Sequence, residues 1–349
     1  MRPIAYGKIL ATGSSDRIMS FAAQGTQIVD LQGRTVIPGL NDSHLHLIRG
    51  GLNYNLELSW EGVPSLADAL WMLKDQADRT PSPQWVRDGR GNPTGMLIAK
   101  PNAMILYATL AKGPKLPLEQ QVNSTRQFMR ELNRLGLTSA IDAGGGFQNY
   151  PKDYEIIEQL HAQQQMTVRI AYNLFTQRPK QELDDFERWT DMLKPGQGTD
   201  FFRANGAGEM LVFPAADFED FLQSRPDLPE GMDDELERVE HRWPFHLHAT
   251  YDESISRMLD VFEKVNRDIP FNGLHWFFDH AETITEWNIV RVKALGGGIA
   301  VQHRMAFQGE YFVDRYGKEA LKHTPPVAKM LALEVPVGLG TLRRRKSGR

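Results

Sequence analysis

The chain has 349 residues, 41% hydrophobic and 24% charged, a globular balance and enough length for one large α/β barrel with a small appendage. A formal net charge of −4 gives no electrostatic reason to expect a nucleic-acid partner. There is no Cys, which excludes disulfides, thiolate ligands and a Cys nucleophile, and leaves a transition metal only His, carboxylate or a modified Lys.

Residues 1–20 have no long apolar core behind a basic start, and no apolar run approaches the roughly 18 residues a membrane span needs. A cytoplasmic protein with no membrane partner is the expectation. Residues 4–33 alternate short apolar pieces with Gly, Ser and Asp turns, which predicts a small β unit of about three strands. From Thr35 the pattern becomes strand then helix, repeated. Strands are predicted at 35–40, 139–142, 168–175, 201–205, 245–248, 274–278, 299–302 and 335–340. Helices between them include 65–77, 121–135, 154–165, 254–265 and 285–295. Eight such units suit a (β/α)8 TIM-type barrel, which needs about 250 residues; an open doubly wound sheet meets the same count.

Two places break the pattern. Residues 85–95 change abruptly from amphipathic helix to turn residues, and 341–349 hold four Arg and one Lys, read as a solvated basic tail.

His44 and His46 are two residues apart, a spacing that puts both imidazoles on one face of a strand. At the C-terminal end of a barrel strand that face looks into the mouth, where active sites sit. A single His-x-His pair is weak evidence and is more often structural. Here His246 and His248 repeat it at the end of the fifth predicted strand, and His280 closes the sixth, so half of the 10 His lie in three strand-end segments. A shared metal ion explains that clustering better than five separate core histidines do. Glu209 follows the fourth strand, where it completes a metal shell or stands on a surface loop. His303 follows the seventh strand and lines the mouth. Gly144-Gly145-Gly146 lacks the spacing of a phosphate loop; it marks either a close approach of backbone to substrate or a flexible loop. Gly296-Gly297-Gly298 fits a helix C-cap turn. Gly145, Trp276, Gln302 and His303 are the predicted substrate contacts, in a partly aromatic, neutral-to-polar pocket for a small molecule.

The run Thr-Val-Ile-Pro-Gly-Leu-Asn-Asp-Ser-His-Leu-His, 35–46, resembles the amidohydrolase superfamily, and within it the branch of N-substituted formamide deformylase-like and exoenzyme-regulator-like proteins. The likeness runs from the N-terminal β unit to Gly340. It implies a barrel at 35–341, an incomplete β-sandwich portion at 1–34 and a basic tail at 342–349. It implies one or two divalent ions, zinc foremost, held by His44 and His46 from strand one, His248 from strand five and His280 from strand six. Glu209 takes the bridging strand-four place, often a carboxylated Lys in relatives. The implied reaction is hydrolysis of a non-peptide C–N bond, as in amides or formamides, by attack of a metal-bound hydroxide on a carbonyl polarised by the ion. A general-base Asp is expected just past strand eight, where this chain has Leu342, so no catalytic residue is assigned. The chain also resembles a relative shortened at 85–88 and truncated, or frame-shifted, at its C-terminal end. That implies an exposed apolar flank open to aggregation or a homodimer. The alternative reading is a catalytically impaired barrel that keeps only a metal or ligand pocket. An aldolase-type barrel would want a Schiff-base Lys and a phosphate loop, and neither stands at the strand ends.

Overall fold

A computed structural model describes residues 4–5, 7–58, 63–79, 115–146, 148–178, 181–211 and 242–340. The junction at 85–95, Phe147 and the stretch holding Leu342 lie outside the described residues. The chain divides into two compact units, Met1–Pro38 and Gly39–Arg349.

In the first unit β1 (Ile4–Ala5) pairs antiparallel with β2 (Lys8–Ile9), and a short helix α1 (Ser15–Met19) follows, its start capped by the Ser14 hydroxyl. Two strands appear where about three were predicted. Residues 20–38 have apolar side chains but no ladder partner among the described residues, and a strand without a partner leaves its backbone groups to water.

The second unit is built on eight parallel strands that neighbour one another in chain order: β3 (Leu40–Leu45), β4 (Leu137–Asp142), β5 (Arg169–Leu174), β6 (Phe202–Ala207), β7 (Phe245–Ala249), β8 (Trp276–His280), β9 (Gly298–Gln302) and β10 (Val337–Gly340). Helices run beside them: α2 (Leu47–Asn53), α3 (Leu66–Arg79), α4 (Leu118–Arg134), α5 (Glu155–Ala162), α6 (Glu182–Met192), α7 (Asp252–Asp268), α8 (Glu286–Ala294), α9 (Met305–Tyr316) and α10 (Val327–Ala332). The strand order has no reversal, so the doubly wound alternative is excluded. The last strand lies against the first: a Cβ on Gly338 would fall 2.7 Å from Ser43 Cβ, and one on Gly340 2.8 Å from the His44 amide nitrogen. Glycine at both positions lets β10 close on β3, giving a nearly closed (β/α)8 barrel.

The core lies between strands and helices. On α7 the buried side chains Ile255, Met258, Leu259, Phe262 and Val265 recur at helical spacing. They meet the outward residues Phe245 and Leu247 of β7 and Trp276 and Phe278 of β8. Phe245 stacks on Trp276 with ring centroids 5.9 Å apart, and Phe262 packs edge-on against Trp276 at 5.0 Å. Full burial of side chains this size contributes about 1.5–3 kcal/mol each.

Most predicted strands recur within two residues, and two of the shifts matter. The first strand starts at Leu40 rather than 35, because Pro38 has no N–H to give a ladder, so His44 sits inside the strand. The sixth runs Trp276–His280 rather than 274–278. Trp276 is therefore the first residue of β8, at the end of the barrel away from the mouth. It is fully buried, and its indole Nε1 donates to the Leu295 carbonyl at 3.2 Å. This corrects the predicted substrate contact: Trp276 packs in the helix-facing core. Replacing Trp276 by Ala is expected to destabilise the barrel by about 3–5 kcal/mol, read from the urea unfolding midpoint; a loss below about 1 kcal/mol would contradict the core placement.

Candidate metal centre

Strand alternation aims the first of the predicted ligands. Asp42, His44 and His46 share one face of β3 and its extension, while Leu45 between the histidines is in the core. On β7, His246 and His248 face inward and Phe245, Leu247 and Ala249 outward. On β8 the inward residues are Phe277, on which His246 stacks at 5.1 Å, and Asp279, which His246 Nδ1 meets at 3.1 Å. Alternation would send His280 outward with Trp276 and Phe278. Instead the backbone turns left-handed at His280 (φ 81°) and Ala281 (φ 52°), which swings the imidazole into the mouth.

Glu209 arrives from two residues past β6. Gly208 before it has φ 126°, and a Cβ there would fall 2.2 Å from the His246 carbonyl oxygen, so only glycine fits. The Glu209 amide donates to the Ala143 carbonyl, and its own carbonyl accepts from the His248 amide, each at 2.8 Å. The residue is thereby stitched between the ends of β4 and β7 rather than carried on a free surface loop.

These elements bring four of the predicted ligands around the carboxylate of the fifth, Glu209. Glu209 Oε2 lies 3.1 Å from His44 Nε2, 3.3 Å from His248 Nδ1 and 3.4 Å from His280 Nε2, and Oε1 lies 3.3 Å from His46 Nε2. His46 Nδ1 is 2.5 Å from the Gly144 carbonyl, which can only accept, so that nitrogen carries the proton and Nε2 faces Glu209. His44 Nδ1 lies 2.9 Å from Asp279 Oδ2. Yet, among the described residues, neither ring nitrogen of His44 or His280 has a partner at ordinary hydrogen-bond angles, although both rings are buried. Imidazoles that crowd one carboxylate without hydrogen-bonding it suit a shared cation. One donor atom each from His44, Glu209 and His280 fall within 4.8 Å of one another, and the nitrogen–carboxylate set matches zinc and its neighbours. The residues present fit a divalent ion.

The electrostatics agree. Burial lowers the His44 pKa, but the charges of Asp279 and Glu209 outweigh it and carry the value up to about 10. Burial raises the Glu209 carboxyl, and His44 and His46 more than offset that, holding it well below the usual carboxylate range. Asp279 is held low against its burial by His44 and His246. His280 is held well below the ordinary histidine value by burial, then by the Arg304 charge and His248, so its imidazole stays neutral.

The remaining predicted residues take different places. Gly145 (φ 148°) packs against the Arg49 guanidinium, whose Nη1 lies 2.9 Å from where a Cβ would stand, beside the Gly144 that holds His46. Gln302 ends β9 and its amide points to the His44 carbonyl at 3.4 Å; His303 follows, half-buried. Sequence reasoning assigned no role to Asp279, Asp42 or Asp142. Asp42 Oδ1 accepts from the His44 amide at 3.0 Å. Asp142 accepts from the Ile48 and Gly144 amides and from Gln148, fixing the turn against which His46 leans. The available signal was a lone carboxylate closing an otherwise apolar strand, as in Trp-Phe-Phe-Asp-His and Ser-Ala-Ile-Asp.

The Amidohydrolase family model matches residues 27–87 and 86–341, resuming where the sequence breaks pattern. Protein LONG AFTER FAR-RED 3 of Arabidopsis thaliana is 37% identical over 89 residues, 26% of this chain and 15% of its own length. N-substituted formamide deformylase of Arthrobacter pascens is 27% identical over 85 residues, 24% of this chain and 16% of its own. The matched stretches thus span about a sixth of these relatives. A metal-dependent hydrolase of Pyrococcus furiosus shares the fold, with a TM-score of 0.66 at 17% identity over 97% of this chain and 80% of that one.

His44 carries a sign-definite pH dependence. Its pKa is raised from 6.5 to about 10, so in the metal-free protein it favours the fold fully below pH 6.5 and that contribution is lost as pH rises through about 10. A cation needs the imidazole neutral and must displace this proton. The apparent zinc affinity is expected to rise by about one log unit per pH unit across roughly pH 7–9. Calorimetry in two buffers of different ionisation enthalpy reads the proton; none released near pH 7.5 would refute the assignment.

Proposed function

Because this chain belongs to the Amidohydrolase family, a family of hydrolases, we propose that it holds a divalent metal, zinc foremost, and hydrolyses a C–N bond of a small amide or formamide. The observation that carries the reading is the convergence of four imidazoles, from the ends of β3, β7 and β8, on the Glu209 carboxylate. His44, His46, Glu209, His248 and His280 are the residues that would hold the ion. When bound, it would supply Lewis acidity toward a carbonyl oxygen and a water molecule.

The chain's own residues prepare that chemistry. Gly144 fixes the His46 tautomer, so its Nε2 keeps a fixed direction. Asp279, between His44 and His246, sets the orientation of the His44 ring from behind. Gln302, which ends β9 with its amide on the His44 carbonyl, and His303 after it are the side chains this reading assigns to substrate contact. Burial of His44 and His280 keeps bulk water away from the inner side of the cluster.

Proton transfer is the weak link. Leu342 occupies the place where the resemblance expects an Asp general base, and a leucine can neither accept nor donate a proton. Leu342 favours a second reading, in which the barrel keeps a metal pocket but turns substrate over poorly or not at all.

The purified protein is expected to contain about one or two equivalents of divalent metal, removed by a chelator and lost in His44→Ala; unchanged metal content in His44→Ala would sink both readings. On formamide and amide substrates, Leu342→Asp is expected to raise turnover by about 10²–10⁴-fold. Metal uptake with no turnover in either the parent chain or Leu342→Asp would decide for the non-catalytic reading.

A further inference from the structure

Arg304 sits two residues past β9, at the N-cap of α9, and its side chain is fully buried. Its Nε donates to Glu282 Oε1 at 2.5 Å, and its Nη2 donates to Glu282 Oε2 and to Thr250 Oγ1, each at 2.8 Å. Glu282 is fully buried too, and its carbonyl accepts from the Thr324 hydroxyl at 2.5 Å. The ion pair therefore ties together the segments that leave β7, β8 and β9 at the barrel mouth.

Immediately before Glu282 come His280, the last residue of β8, and Ala281, two consecutive residues with left-handed backbone. Non-glycine residues stay in that region only when their surroundings hold them there. The restraints on this turn can be named. The Ala281 amide donates to the Ala249 carbonyl at 2.8 Å, and the Thr283 amide to the Thr250 carbonyl at 3.2 Å. A further restraint, and the one made by buried charges, is the grip of Arg304 on Glu282. Without the turn, strand alternation would return His280 to the helix-facing side with Trp276 and Phe278.

We propose that Arg304 is a positioning residue: its two-point hold on Glu282 maintains the left-handed His280–Ala281 turn and so aims the His280 imidazole at Glu209. The consequence for metal binding rests on the metal-centre reading above; the hold on the turn does not. A buried ion pair is a poor device for stability alone, since well-packed apolar residues of similar volume often do as well or better. What it adds is direction, because the planar guanidinium meets a carboxylate at two points and fixes its orientation. A lysine would keep the charge and lose the fork.

The test uses Arg304→Lys and the paired Arg304→Met/Glu282→Met chain, which leaves no uncompensated buried charge if the lysine variant fails to fold. Hydrogen–deuterium exchange on the metal-free protein compares a peptide containing Ala281 with one containing Leu247 of β7. Zinc affinity is measured by competition with a chelator. In whichever variant folds, the Ala281 peptide is expected to exchange at least about tenfold faster with the Leu247 peptide unchanged, and zinc affinity to fall about 10–100-fold. Unchanged exchange at Ala281, or equal acceleration of both peptides, would overturn the proposal by making the pair inert or merely structural. If the parent chain takes up no zinc, the metal-centre reading fails, and the Ala281 exchange still decides the role of Arg304.

Discussion

Four imidazole nitrogens within 3.4 Å of one buried carboxylate place a demand that the rest of the barrel mouth has to meet. A carboxylate taken out of water costs several kcal/mol unless charge and hydrogen bonds answer it. Glu209 is answered by a protonated His44 in the metal-free chain, and would be answered by a cation when one is bound. Either solution requires the ends of β3, β7 and β8 and the residues beyond β6 to hold register to within tenths of an ångström. The small residues follow from that demand. Gly208 lets the Glu209 backbone pass against His246, and Gly338 and Gly340 let β10 reach β3.

Around this cluster a second layer controls direction rather than contact. The Gly144 carbonyl chooses the His46 tautomer, Asp142 braces the turn that presents that carbonyl, and Asp279 backs both His44 and His246. The layer is made of short, buried, charge-assisted contacts, which suit a site that must be formed before a ligand arrives. The glycine run after β4 has a definite task here, since its positive-φ backbone supplies the acceptor for His46 and makes room for Arg49.

The site and the core use the same strands in opposite senses. On β7 and β8 the outward side chains form one aromatic cluster with α7, and the inward ones form the histidine–aspartate set. Loss of packing on one side would shift the register on the other, because adjacent residues of one strand serve both. Family membership fits this division of labour, and the 17% identity to the Pyrococcus furiosus hydrolase at a TM-score of 0.66 shows how little sequence the shared fold requires.

Much of this was legible in the residues. A two-residue period puts His44 with His46 and His246 with His248 on one face wherever the strand runs, so those pairings depend on local geometry alone. The strand–helix alternation and the 3.6-residue stripe on α7 are local in the same way. Three things were not local, and only the tertiary structure decided them. His280 points inward because a left-handed turn overrides alternation, and nothing in Asp-His-Ala-Glu marks that turn. Trp276 belongs to the core because β8 starts two residues later than its apolar run suggests, which moves it to the opposite end of the barrel. Glu209 is a partner to four histidines because the closed strand order brings distant strand ends together around it. Local periodicity fixes which face a side chain takes; where that face ends, and what it meets there, depends on long-range register.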